Sequence, residues 1–396
     1  MIERNRTADY GKPLDALDQQ MFGVDAARRA AAMLALHPSN KETPLHDLRG
    51  LAAAIEVGAI HIKDESTRLG LGSFKALGGG YAVVCLVLEE ASRKLNRAVS
   101  ASELLDPSIR ATISRVQVGC ATDGNHGRSV AAGANLVGCK ANIFVHAGVS
   151  DERVEAIARF GANVIRVPGS YDDAVAEAGR ICKENGWITV SDTSWPGYEQ
   201  IPRLVMQGYT VMVTEVLKRL RQPPTHVFLQ AGVGGFAAAV AANLALTLRA
   251  ARPKFIIVEP DRAACLFESN WAGKIVSVKP TQPTVMAMLE CYEPSLIAWG
   301  VLSRLADAFM TVREEDAIDA MNRLARPAGA DEVIVAGESG GAGLAGLIDI
   351  AASPEARAEL HLDAKSRVLL FNTEGATAPR VYQELTGLNP VELLLA

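Results

Sequence analysis

The chain has 396 residues, 49% hydrophobic and 21% charged, with 40 Lys and Arg against 45 Asp and Glu for a net charge of -5. That length suggests two or three domains, and the mixture is globular, which excludes a disordered or collagen-like chain. The charges are spread without long runs of one sign, so a nucleic-acid partner is not expected.

After a polar N-terminus, Asp25 is placed to cap a helix that ends before Pro38. Short β-branched or aromatic runs bounded by Gly, Pro, Asn or Asp then predict strands at 59–63, 115–120, 141–146, 163–167, 187–190, 226–230, 254–259 and 367–371. Helical patterns separate most of them, among them 149–160, 171–185 and 236–250. Such alternation argues for the α/β class, with parallel sheets covered on both faces. The four strands between 116 and 190 suffice for one compact subdomain. Those at 226, 254 and 367 would build a second sheet, joined by the N-terminal portion. Two lobes with a cleft between them follow, and ligands in such folds bind outside the carboxyl ends of the strands.

The longest apolar stretch, 236–248, is interrupted by Asn243 and falls short of the ~20 residues that a membrane span needs. The N-terminus leads into no hydrophobic region, so a cytoplasmic protein without a membrane partner is expected. Six cysteines show neither a CxxC pair nor a metal-ligand spacing, and most sit in apolar segments as buried thiols. Cys265 and Cys291 lie among loop residues and could face each other.

Residues 226–230 are followed by the turn Gly232-Val233-Gly234-Gly235 and a helix. Glycines let the backbone approach an anion, and amides at a helix N-terminus can bind phosphate. Gly232, Gly234 and Ala237 also satisfy a dinucleotide fingerprint, with Glu259 near the place of a ribose-binding acid. An NAD-dependent oxidoreductase is therefore one reading. A glycine-permitted tight turn without a ligand is another.

Lys75, in Gly72-Ser73-Phe74-Lys75, is the only charged residue between Arg68 and Glu89. It could snorkel from a buried helix start, or act as a Schiff-base lysine in an apolar setting. With a phosphate cradle elsewhere in the chain, the second reading points to pyridoxal phosphate. The loop Thr122-Asp123-Gly124-Asn125-His126-Gly127-Arg128 follows the 115–120 strand. Thr122 or Asp123 is a good N-cap for the next helix, which explains the Asn125-His126 pair less well.

Gly-Ser-Phe-Lys at 72–75, Gly-Asn-His at 124–126 and the turn at 232–235 together resemble the fold-type II, tryptophan synthase β-like pyridoxal-phosphate enzymes. Thr43-Pro44-Leu45, and Gln207-Gly208-Tyr209 with Glu215, fit their pattern, and the resemblance runs from about residue 20 to about residue 385. It implies a large domain of 1–84 and 197–396 that binds the cofactor phosphate, a small domain of 85–196 with the asparagine loop, and an active site in the cleft between them. A homodimer is what this family suggests.

Dehydratases of this kind usually carry Ser-Ser-Gly-Asn-His, with a serine near a leaving hydroxyl. This chain has a carboxylate, Asp123, in that loop, and a second, Asp192, in Ser191-Asp192-Thr193-Ser194-Trp195-Pro196-Gly197-Tyr198. Carboxylates favour a substrate with a second ammonium group. Asp192 alone would also suit an Asx turn. The Asp123 loop, the Asp192 segment and Asn372-Thr373-Glu374-Gly375 resemble the diaminopropionate ammonia-lyase family. One departure is the polar stretch 38–42 ahead of Thr43, where relatives are often aromatic-rich.

That resemblance implies an α,β-elimination of 2,3-diaminopropionate to pyruvate and two ammonia, with both isomers as substrates. Lys75 would hold the cofactor and take the Cα proton of the L-isomer, and Asp123 that of the D-isomer. Asp192 would grip the distal ammonium, and Thr122 and Gly124 would help bind substrate. Phe74, Asn125, Thr373 and the amides of Gly232, Val233, Gly234 and Gly235 would bind the cofactor. Asn125 is assigned the ring oxygen and Thr373 the pyridine nitrogen. Ser339 competes for Thr373's place but is expected to cap the helix after it. His126 is read as a loop-stabilising residue. A serine or threonine dehydratase of the same fold and a non-catalytic cofactor-binding sensor remain alternatives.

Overall fold

A computed structural model of the chain describes residues 1–122 and 124–395, as two compact units. One comprises Met1–Ala26, Glu42–Thr67 and Met212–Ala396, the other Ala27–Lys41 and Arg68–Val211. The described residues form eleven strands. They are β1 (Ile2–Arg4), β2 (Leu45–Asp47), β3 (Ala59–Asp64), β4 (Gln117–Ala121), β5 (Lys140–His146) and β6 (Asn163–Val167). The rest are β7 (Ile188–Thr189), β8 (His226–Gln230), β9 (Lys254–Pro260), β10 (Ala308–Val312) and β11 (Arg367–Asn372).

The first unit holds a seven-stranded sheet in the order β1-β10-β9-β8-β11-β3-β2. Its five inner strands run parallel, and the three-residue strands β1 and β2 close the edges antiparallel. All five residues of β8 are buried, as a central strand covered on both faces requires. Phe228, Ile256, Val258, Met310 and Leu370 share one core cluster. Burying each such side chain contributes about 1.5–3 kcal/mol, and the β-branched and aromatic ones among them suit a pleated surface.

The second unit holds a four-stranded, all-parallel sheet in the order β6-β5-β4-β7. All eight expected strands occur, with ends displaced by no more than two residues. Strands β1, β2 and β10 were not expected. The helix near Asp25 spans Val24–Leu34, so Asp25 sits in its first turn rather than at its cap. Among the described residues, no helix is long and apolar enough to cross a membrane.

The run Gly78-Gly79-Gly80 is explained by close approach. A Cβ at Gly78 would lie 2.4 Å from the Tyr209 ring, and one at Gly79 2.9 Å from Ser129 Oγ. A Cβ at Gly133 would stand 2.7 Å from Gly80 Cα. Helices Lys75–Leu95 and Asn125–Val137 therefore meet backbone to backbone. Ser129 ties them: its Oγ accepts from Gly80 N at 2.9 Å and donates to Ala76 O at 3.1 Å. This contact fixes the first turn of the Lys75 helix relative to the asparagine loop.

Candidate active site

Lys75 is the first residue of its helix, with Phe74 at the N-cap. Its ammonium donates to Asp192 Oδ2. The two side chains are 22% and 17% exposed, enough for a small molecule to reach and little enough for their attraction to escape full screening. Asp192 follows β7 in a segment pinned by Tyr198, whose hydroxyl donates to Thr189 O at 2.7 Å and accepts from Ser191 N at 2.9 Å. The Tyr198 ring stacks on Trp195 with centroids 4.3 Å apart. Burial pushes the Asp192 carboxyl up, but Lys75 and, in the acid range where its ring is protonated, His126 outweigh it and hold the group well below the carboxylate range. Asp192 is a fixed anion.

His126 is buried, with Nε2 2.8 Å from Val190 O and Nδ1 3.9 Å from Asp192 Oδ2. Burial pushes its imidazole below the usual value. Tyr209 is buried too, its ring 4.8 Å from that of Phe74. Its hydroxyl has no hydrogen-bond partner among the described residues. Burial pushes that phenol up, and both Lys75 and Asp192 act on it.

Asp123 lies outside the described residues. Next to it in the chain, Thr122 Oγ1 accepts from Gly124 N and Gly127 N, both at 3.0 Å, while the N-cap of the following helix is Gly124 rather than Thr122. Gly124 has φ +151°, a conformation side chains rarely adopt. Asn125 opens the helix and is buried.

In the first unit, the turn after β8 holds Gly234 at φ +94° and leads into the helix Gly235–Leu248. A Cβ at Gly232 would lie 2.8 Å from Cys291 Sγ, and one at Gly234 3.1 Å from Ala298 Cβ and Leu266 Cδ1. Only glycine fits. Gly232 also offers its carbonyl to Cys265 Sγ at 3.8 Å, so both cysteines approach this residue, and burial, Glu259 and Cys291 all push the Cys265 thiol up.

Thr373 follows β11 and is buried, its Oγ1 accepting from Gln230 Nε2 at 3.1 Å. The Gln230 amide faces Gly340 O and Phe371 O at 2.9 Å, which fixes its NH2 on this side. An oxygen that already accepts keeps its own proton to donate.

Two expectations are corrected. Ser339 does not cap the following helix, whose N-cap is Gly341. Instead its Oγ accepts from Met288 N at 3.2 Å, because the chain turns at 337–341 before the helix begins. Glu259 is not placed to bind a ribose. It is fully buried, and its two oxygens accept from Leu266 N at 2.8 Å and Phe267 N at 2.7 Å. That removes the acid on which the dinucleotide reading rested.

These residues fit pyridoxal phosphate. The turn 232–235 is shaped for close approach of an anion at a helix start, and the Thr373 hydroxyl can donate to an unprotonated ring nitrogen. Beside the Lys75–Asp192 pair, the partnerless Tyr209 hydroxyl is a polar atom that a ligand could satisfy. Sequence reading gave no functional role to Tyr209, near Lys75 in the second unit, or to Gln230, bonded to Thr373 in the first. Their signal is burial, which no local pattern encodes.

The chain matches the family described as pyridoxal-phosphate dependent enzyme over residues 36–374. It is 37% identical over 366 residues to diaminopropionate ammonia-lyase of Salmonella typhimurium, covering 89% of this chain and 90% of that protein. With the Escherichia coli K12 enzyme it shares 38% over 351 residues, 87% of each. A crystal structure of the Escherichia coli enzyme with an aminoacrylate-PLP azomethine reaction intermediate superposes with a TM-score of 0.86 at 34% identity, covering 98% of this chain and 96% of that one. The same enzyme in complex with D-serine gives 0.87 over the same shares. Processed threonine deaminase isoform 2 from Solanum lycopersicum, at 20% identity over 98% of both chains and a TM-score of 0.71, shares the fold alone. Glycine turn, lysine-bearing helix and sequence agree: the chain belongs to the pyridoxal-phosphate-dependent enzymes of the diaminopropionate ammonia-lyase family.

Proposed function

We propose that this protein eliminates ammonia from 2,3-diaminopropionate, giving pyruvate and two ammonia, and that it accepts both the D and the L isomer. The observation that carries the substrate reading is Asp192, a carboxylate held ionised beside Lys75. A hydroxyamino acid gives such an anion no cation to hold. A diamino acid does.

When bound, the cofactor supplies an electron sink for negative charge at the substrate's Cα. Gly232, Val233, Gly234 and Gly235 would bind its phosphate by main-chain amides, Asn125 its ring oxygen and Thr373 its pyridine nitrogen, with Phe74 beside Lys75. Lys75, once committed to the cofactor, no longer offers an ammonium to Asp192. The carboxylate is then open to the substrate's distal ammonium, and holding that group protonated makes it a better leaving group. Lys75 would take the Cα proton of the L-isomer and Asp123 that of the D-isomer, with Thr122 and Gly124 framing the substrate. The same reading carries a homodimer and a cytoplasmic setting, which the buried thiols Cys120, Cys139 and Cys182 suit.

Pyruvate release from each isomer, measured beside serine and threonine, tests the proposal. Faster turnover of serine or threonine would replace it with a dehydratase of the same fold.

A further inference from the structure

Glu259 has no part in the reaction above, yet it is fully buried at the end of β9. Its carboxyl holds the first turn of the helix Cys265–Ala272 through Leu266 N and Phe267 N. That turn is part of the wall around the glycine turn. Cys265 Sγ reaches Gly232 O at 3.8 Å, and Leu266 Cδ1 stands 3.1 Å from where a Cβ on Gly234 would lie. The glycine turn is further tied to the neighbouring strand by Ala231 N donating to Val258 O at 2.9 Å, next to Glu259 in the chain. Beyond it, Val233 O accepts from Ser295 N at 2.9 Å.

We propose that Glu259 is a positioning residue for phosphate binding: by clamping Cys265 and Leu266 against Gly232 and Gly234 it holds the turn in the shape that receives the cofactor's phosphate. A carboxyl is suited to this because each oxygen accepts one backbone N–H. An amide in its place would turn an NH2 toward one of those donors. The inference rests on the reading of 232–235 as the phosphate site.

The test compares two probes on the cofactor-stripped protein, pyridoxal phosphate and pyridoxal, which shares the aldehyde and lacks the phosphate. Each is titrated by its visible absorbance on wild type, Glu259→Gln and Gly234→Ala. We expect Glu259→Gln to weaken pyridoxal phosphate about tenfold or more while pyridoxal binds as before. Leu266→Ala, which removes the wall without touching the buried carboxyl, is the second variant should Glu259→Gln fail to fold, and carries the same expectation. Equal weakening of both probes would overturn the inference, as a general loosening of the fold. So would unchanged binding of both while Gly234→Ala weakens pyridoxal phosphate. Unchanged binding in Gly234→Ala would instead overturn the phosphate site, and the inference with it.

Discussion

His126 turns its Nδ1 toward Asp192 Oδ2 at 3.9 Å, while its Nε2 lies 2.8 Å from the carbonyl of Val190. A carbonyl accepts only, so Nε2 carries the proton and a neutral ring presents a lone pair to the carboxylate. Asp192 thus faces one partner that donates, Lys75, and one that does not until it gains a proton. The substrate's ammonium has no rival on the histidine side at neutral pH.

Asp192→Asn should accordingly lower kcat/KM for diaminopropionate by at least ~30-fold, the ~2 kcal/mol expected from losing one partner of a shielded charge pair. Serine, which brings no second ammonium, should lose much less. Steady-state kinetics on both substrates decides it. Parallel losses would make Asp192 a residue that only places Lys75.

Lys75→Ala should abolish both turnover and the visible absorbance of bound cofactor, with far-UV circular dichroism unchanged. The side chain is one-fifth exposed and its removal leaves the helix packing at Gly78, Gly79 and Gly80 intact. A borohydride-reducible adduct surviving in the variant would assign the covalent link to another residue.

Glu259 gives stability a pH dependence of its own. Burial pushes its carboxyl from the usual 4.5 to about 8, despite the two backbone N–H groups that lower it, and Glu268 adds to the rise. Between those values the folded protein binds a proton that the unfolded chain releases. Its contribution is therefore fully present below 4.5 and lost as pH rises through about 8. The slope approaches about 1.4 kcal/mol per pH unit in that window. Glu259→Gln should flatten it, seen as a smaller change in urea midpoint between pH 5 and 8 than in wild type. Identical midpoint–pH curves would show that the carboxyl does not titrate there.

What sequence made legible follows from how local each signal is. Strands β3 to β9 and β11 are short branched runs between turn residues, and their alternation with helices carried the fold class. Strand β1 spans three residues, Ile-Glu-Arg, and owes its existence to pairing with β10, 308 residues away at its first pair (Ile2 with Met310). Strand β10 hides because the apolar helix Leu296–Leu305 runs almost into it. Lys75, Asn125 and the glycine turn were legible because each sits in a compact motif. The partners that tune them were not. Gln230 reaches Thr373, 143 residues on, and Glu259 reads as a ligand-binding acid until its burial against residues 266 and 267 is seen.

Gly133→Ala tests the close helix contact. Alanine favours a helix by up to ~1 kcal/mol over glycine, which alone would stabilise. The new Cβ, however, would lie 2.7 Å from Gly80 Cα and 3.1 Å from Gly80 O, backbone atoms that cannot swing aside. Overpacking of this kind costs about 1–3 kcal/mol and wins. A lower denaturant midpoint, with weaker cofactor absorbance as the Lys75 helix shifts, is expected. A raised midpoint would mean the two helices separate freely.

The two-base proposal makes the most discriminating prediction. A base fixed on one side of the substrate reaches the Cα proton of one isomer, and the mirror isomer turns that proton away, so turnover of both needs a second base. Asp123 is the candidate by its chemistry and its place in the asparagine loop. Asp123→Asn keeps the side chain's shape and removes the base. D-isomer kcat/KM should fall by ~10²-fold or more, the scale of a deleted general base, and L-isomer kcat/KM by much less. Some L-isomer loss is expected, since the carboxylate would also attract the substrate's ammonium. The comparison is made within one variant on two enantiomers, so a loss of folding or of cofactor would lower both together. Equal losses would leave Asp123 a binding residue, and a wild type that turns over the L-isomer alone would end the two-base proposal before any variant is made.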